Sequence, residues 1–212
     1  MAEAKRRLAA ILAADVAGYS RLMGDDERAT VAALNECREI FRTHVSDHDG
    51  RVVDTAGDSV LATFDSVVEA VQCASEVQTA LGERNQGLPE DRRMAFRIGV
   101  NLGDVIEQDD GTIYGDGVNV AARLESLAEP GGICLSGSAH EQVEGRTDTG
   151  FEDIGEHEVK NIARPVRAYR IVVDGQAEPT QPTQSLPLSD KPSIAVLPFD
   201  VGSPGTELEF AL

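Results

Sequence analysis

Seven consecutive apolar residues, Leu8 to Ala14, run without interruption and end on an acid, Asp15. Nothing else in the chain constrains the fold as much. The run has strand length and no polar face, so it reads as a strand buried on both sides near the middle of a sheet. Lys5-Arg6-Arg7 ahead of it imitates the charged start of a secretory signal. The apolar stretch is at the short limit for such a signal and stops at Asp15, so a buried strand is expected.

The elements after it follow from periodicity and punctuation. Asp25 and Asp26 can cap a helix whose apolar positions Val31, Leu34, Phe41 and Val45 recur at helical spacing, and Gly50 stops it. Arg51 to Asp54 and Ser59 to Phe64 read as strands joined by a tight turn at Ala56-Gly57-Asp58. Ser66 with Glu69 forms a capping-box pattern. It opens a second helix with Val67, Val71, Ala74, Val77 and Leu81 on one face.

After a polar loop, Phe96, Ile98, Val100 and Leu102 alternate as in a strand with one buried face. A turn at Asp109-Asp110-Gly111 and a short helix from Val118 to Ala128 follow. Strand, helix, strand, strand, helix, strand is the split βαβ arrangement, an α+β, ferredoxin-like core. Ile133 to Leu135, Phe151 to Ile154 and Ala168 to Val173 add a small C-terminal β extension.

Residues 1–174 are thus expected to form one domain. Residues 175–193, rich in Pro, Gln, Thr and Ser, read as a linker. Residues 194–212 hold one more strand-like run, Ile194 to Phe199, either the start of a second domain or a strand added to the main sheet.

Charge narrows the partners. Acids outnumber bases 37 to 19, giving a formal net charge of −18. Nucleic acid and anionic membranes both need a positive field, so neither is expected as a partner. No stretch approaches the roughly 20 apolar residues that span a bilayer. Cys37, Cys73 and Cys134 are odd in number and scattered, which fits reduced thiols in the cytoplasm.

Asp15 ends the first strand and Asp58 sits on the hairpin turn, two points that a split βαβ sheet can bring to one edge. Paired carboxylates on rigid elements, without a His or Cys cluster, suit Mg²⁺ or Mn²⁺ bound through oxygen. An aspartate in a tight turn can equally be structural, bonding its own backbone. Asn119 and Arg123 are four apart on the expected short helix and share a face, with Val120, Leu124 and Leu127 on the buried side. Such a pair can hold a sugar and a phosphate, or simply form a solvated face. His44 and His48, four apart near a helix end, read as surface histidines.

Three segments, taken in order, resemble the catalytic domain of class III adenylate and guanylate cyclases. They are Ala14-Asp15-Val16-Ala17-Gly18-Tyr19-Ser20, Gly57-Asp58-Ser59 and Gly115-Asp116-Gly117-Val118-Asn119-Val120-Ala121-Ala122-Arg123. The resemblance spans about Arg6 to Val173. Lys191 to Phe199 is similar to the segment that opens a TolB-like or TPR-containing region in bacterial members.

The resemblance implies a homodimer with its sites at the interface. Asp15, Asp58 and the Val16 carbonyl of one subunit would hold two Mg²⁺ or Mn²⁺ ions. Asn119 and Arg123 of the other would orient the ribose and neutralise the α-phosphate of ATP or GTP, which would be converted to a 3′,5′-cyclic nucleotide. Lys160 falls where the family carries a lysine for the terminal phosphates, with Asn161 in place of a glycine. Asp54 and Thr112 occupy the two base-reading positions.

Adenylate cyclases carry a lysine where Asp54 stands. A carboxylate only accepts hydrogen bonds, which matches the N1–H and N2–H of guanine better than the N1 lone pair of adenine. ATP and GTP both stay open. So does a second reading, a nucleotide-binding or dimerisation module with weak or no turnover.

Overall fold

The computed structural model describes residues 5–147, 149–158, 162 and 165–172. All of them lie in Met1–Ala177, the first of two units into which the chain divides. Lys160, the expected linker and the run at 194–199 fall outside the described residues.

Strand β1 (Lys5–Val16) is the axis of the sheet. It pairs antiparallel with β3 (Val60–Phe64) on one side and β4 (Phe96–Glu107) on the other, with Ala14 opposite both Val60 and Ile98. The path across the sheet is β2-β3-β1-β4-β6-β8-β7, where β2 is Arg51–Asp54, β6 Ile133–Ser136, β7 Gly150–His157 and β8 Val166–Val172. The two-residue β5 (Ile113–Tyr114) pairs with β4 off this path. The first four strands of the path are the expected ferredoxin-like core. Beyond them β6 joins parallel to β4, and β8 and β7 extend the sheet antiparallel.

From Ala9 to Ala14 the apolar run of β1 lacks alternation because both of its faces are covered, whereas its first residue, Leu8, departs from the expected burial and is 62% exposed. Ala10, Leu12, Ala14 and Val16 enter a core with Leu34 and Phe41 of α2 (Glu27–Asp47) and Val71 and Val77 of α3 (Val67–Asn85). Ala9, Ile11 and Ala13 pack on the opposite face with Ala121 of α4 (Asp116–Leu127). Strand β4 is likewise covered on both faces, not on one as its alternation suggested. At Gly99 a Cβ would stand 2.2 Å from the Ala121 carbonyl oxygen and 2.3 Å from the Glu125 nitrogen. The missing side chain lets the α4 backbone lie directly on the strand.

Capping follows the sequence: the Ala29 amide donates to Asp26 Oδ1 at 3.0 Å and the Glu69 amide to Ser66 Oγ at 3.4 Å. Val31 departs from its expected place, being 42% exposed. Thr30 takes the inward position, its hydroxyl donating to the Leu22 carbonyl at 2.8 Å. Leu22 belongs to a short helix, α1 (Tyr19–Asp25), that the sequence did not signal, and α5 (Gly137–Val143) was equally unmarked. Seven residues are too few to establish a period. Cys37, Cys73 and Cys134 are free and buried.

The histidines are not free surface groups. His48 Nδ1 lies 2.8 Å from Glu69 Oε2 and its Nε2 3.0 Å from Glu76 Oε2, while His44 Nδ1 lies 3.2 Å from the same Glu76 oxygen. Two carboxylates on one imidazole require both ring nitrogens to donate, which is the protonated form. Burial works against that charge, but the hydrogen bonds that the ring donates to Glu69 and Glu76 outweigh it and the His48 pKa is raised. The hydrogen bond from His48 lowers that of Glu76.

The signs follow from linkage. The His48 contribution is complete below its unfolded pKa of about 6.5 and is lost as pH rises through the higher folded value. The Glu76 contribution is present above its unfolded pKa and is lost as pH falls through the lower folded value. Thermal unfolding at stepped pH should therefore show the melting midpoint dropping above about pH 6.5 more steeply in the native chain than in His48→Gln. Parallel profiles would mean that the cluster does not couple α2 to α3.

Candidate active site

Asp15 is the penultimate residue of β1, and register sets it beside Arg97 of β4. Arg97 Nε donates to Asp15 Oδ1 at 2.9 Å, and its Nη2 donates to the other carboxylate oxygen. Val16 closes the strand, buried opposite Phe96. Asp58 lies on the β2–β3 turn. Because Ala14 faces Val60, this turn comes level with the end of β1.

Glu125 of α4 completes the group. It is only 9% exposed, and its pKa is pushed up to about 8 by burial first, then by the charge of Asp15, with Arg97 pulling the other way and Asp58 adding to the rise. Three carboxylates thus converge around one guanidinium at the end of the two central strands. Arg97 and Glu125 were not singled out from the sequence. Glu125 could have been, since an acid on a buried helical stripe needs a cation or a proton.

Helix α4 turns its functional candidates the other way. Gly117, Val120, Ala121, Leu124 and Glu125 face inward, and Leu127 is half-buried. Asn119 and Arg123 are exposed, one turn apart. Arg123 and Glu125 are separated by about 200° around the helix axis. Arg123 therefore points away from the acids of its own chain.

Asp54 is exposed at the end of β2, its Oδ1 accepting from the Thr55 amide at 2.7 Å. Thr112 lies half-buried in the β4–β5 turn, its amide donating to Asp110 Oδ1 at 2.9 Å. Arg51 of β2 donates to the Gly111 carbonyl at 2.8 Å and to Glu107 at 2.6 Å, bringing that turn to the strand that carries Asp54. A cleft of about 700 Å³ lined by Asn101, Gly103, Asp116, Ser138, Arg167 and Tyr169 includes none of Asp15, Asp58, Asn119 and Arg123. Asp15 and Asp58 are half-buried, and Asn119 and Arg123 are exposed.

The donor set fits a hard divalent cation. Asp15 and Asp58 offer carboxylate oxygens and Val16 a strand-end carbonyl, donors of the type such an ion takes. Among the described residues no group of three or more His, Cys, Asp or Glu forms a cage that holds an ion alone. No helix among the described residues is long and apolar enough to cross a membrane.

Residues 2–173 match the family model of the adenylate and guanylate cyclase catalytic domain. The chain is 52% identical over 202 residues to "Putative adenylate cyclase 3" of Rhizobium meliloti, covering 92% of this chain and 34% of that protein. It is 29% identical over 168 residues to "Adenylate cyclase 1" of the same organism, covering 70% of this chain and 25% of that one. The chain thus spans about a third of the first relative and a quarter of the second.

Among solved structures, an adenylate/guanylate cyclase/hydrolase from Silicibacter pomeroyi superposes with a TM-score of 0.76 at 44% identity, covering 81% of this chain and all of that one. The adenylyl cyclase CyaB from P. aeruginosa shares the fold, with a TM-score of 0.71 at 24% identity over 82% of this chain and 98% of that one.

Proposed function

The chain belongs to the adenylate and guanylate cyclase catalytic-domain family, and from that premise we propose that it acts in the cytoplasm as a homodimeric nucleotidyl cyclase, converting ATP or GTP to a 3′,5′-cyclic nucleotide and pyrophosphate. One observation carries the dimer. Arg123 and Asn119 leave α4 on the side opposite Glu125, which faces Asp15. A site needing both groups is therefore completed by a second subunit.

Asp15 and Asp58, with the Val16 carbonyl, would hold two Mg²⁺ or Mn²⁺ ions, which when bound lower the pKa of the ribose 3′-hydroxyl and take up phosphate charge. The chain's own side chains do the rest. Asn119 of the partner orients the ribose by hydrogen bonding. The Arg123 guanidinium donates to the α-phosphate, where negative charge grows. The 3′-oxygen attacks the α-phosphorus in line, the bond to the oxygen bridging to the β-phosphate breaks, pyrophosphate leaves, and the hydroxyl proton passes to solvent. Lys160 would meet the terminal phosphates.

Asp54 and Thr112 read the base. The Asp54 carboxylate complements paired donors on guanine, and it also motivates the second reading, a module that binds nucleotide with little turnover. Assaying ATP and GTP side by side in Mn²⁺ tests both. Cyclic product above an Asp58→Ala control is expected, and binding without product would favour the second reading. Asp54→Lys should shift the ATP:GTP ratio of kcat/KM at least tenfold toward ATP, because it replaces an acceptor with a donor opposite N1. An unchanged ratio would remove Asp54 from base recognition.

A further inference from the structure

Arg38 has no part in the chemistry above, yet it reaches the turn that carries Asp58. It leaves the middle of α2, between Leu34, Cys37 and Phe41, all buried in the main core. Its Nη2 donates to two backbone carbonyls, those of Thr55 and Gly57, each at 2.5 Å. Its Nε is buried without a hydrogen-bond partner. The guanidinium is half-buried, and both of its hydrogen bonds go to that turn.

The turn needs such an anchor. The β2–β3 ladder ends at the Asp54–Leu61 pair, after a register shift at Val52–Asp54. Beyond it the loop has few bonds of its own: the Ala56 carbonyl accepts from the Ser59 amide at 3.1 Å and the Ser59 hydroxyl at 2.7 Å, and the Thr55 amide donates to Asp54 Oδ1 at 2.7 Å. Gly57 sits at φ +60°, and a Cβ there would meet nothing within 4 Å, so packing does not hold the residue. The tip of the hairpin is therefore tied to the helical layer through Arg38. Thr55 and Gly57 also bracket the backbone between Asp54 and Asp58, so one side chain fixes the segment that bears both acids.

We propose that Arg38 is a positioning residue, clamping the Thr55–Gly57 backbone so that the Asp58 carboxylate is preset for a divalent cation. The proposal rests on the reading of Asp58 as a cation ligand. Arg38 touches no reacting atom and acts only through the turn.

The test compares the native chain, Arg38→Met, Arg38→Lys and Asp58→Ala by two measurements. One is amide hydrogen exchange of residues 55–59 in metal-free protein. The other is Mn²⁺ affinity by electron paramagnetic resonance. Arg38→Met should speed exchange at the turn while leaving the amides of β1 slow, and should weaken Mn²⁺ binding roughly tenfold or more. Arg38→Lys, which keeps the charge but not the planar fork, should fall between, and it carries the comparison if Arg38→Met does not fold. Excess Mn²⁺ should recover turnover in the Arg38 variants and not in Asp58→Ala, with nucleotide KM at saturating metal little changed.

Native-like exchange and Mn²⁺ affinity in a folded Arg38→Met, alongside lost affinity in Asp58→Ala, would overturn the clamp alone. Unchanged affinity in Asp58→Ala would overturn the assignment of Asp58, and the clamp with it.

Discussion

Two inactive proteins, Asp58→Ala and Arg123→Ala, should regain activity when mixed. If subunits exchange freely, half of the dimers are hybrids, and each hybrid has one of its two sites assembled from undamaged halves, so about a quarter of native cyclase activity is expected. Each parent alone should fall by roughly 10²–10³-fold or more, the scale seen when a preorganised charge opposite a developing anion is removed. Recovery in the mixture would then be a rise of at least twentyfold over either parent.

The physical ground is the 200° that separates Arg123 from Glu125 on one helix. Glu125 lies against Asp15, so Arg123 of the same chain cannot. Differently tagged variants, co-purified as hybrids and assayed for cyclic nucleotide, supply the measurement. Hybrids that form but stay inactive would remove the shared site.

The second large effect is on stability. Gly99→Ala puts a methyl group 2.2 Å from the Ala121 carbonyl oxygen and 2.3 Å from the Glu125 nitrogen. Both are backbone atoms of α4, so no rotamer change relieves the clash, and the helix must lift from β4. Overpacking of this kind costs about 1–3 kcal/mol or more, which lowers the melting midpoint of a domain this size by roughly 2–12 °C. The shift would also carry Glu125, Asn119 and Arg123 with it.

Gly24→Ala is the matched control. It lies within α1 and meets nothing within 4 Å, so it should be neutral or stabilise by a few tenths to about 1 kcal/mol. Equal melting midpoints for the two variants would show that α4 is free to retreat from the strand.

Local signals were legible where they were long or chemical. The apolar run into Asp15, the capping residues Asp26 and Ser66, the glycine of the hairpin and the i,i+4 pair Asn119 and Arg123 all stand in the sequence as they do in the fold. Val31 went astray because spacing alone does not say which edge of a helical stripe is wet, and Thr30 hides its hydroxyl by bonding to Leu22. His44 and His48 looked idle because their partners, Glu69 and Glu76, lie on another helix.

What the sequence determined by itself was the order of the core strands and the long helices, the two-sided burial of β1 from Ala9 onward and the three motifs that mark the family. These depend on composition and period over short windows, which the chain carries locally. What only the tertiary structure decided was who meets whom. Register put Arg97 beside Asp15, Gly99 let α4 down onto the strand with Glu125 facing the acids, and Arg38 crossed from α2 to the Asp58 turn. Such contacts join residues far apart along the chain. The energy that selects them comes from packing and charge pairing in three dimensions, and no local window records it.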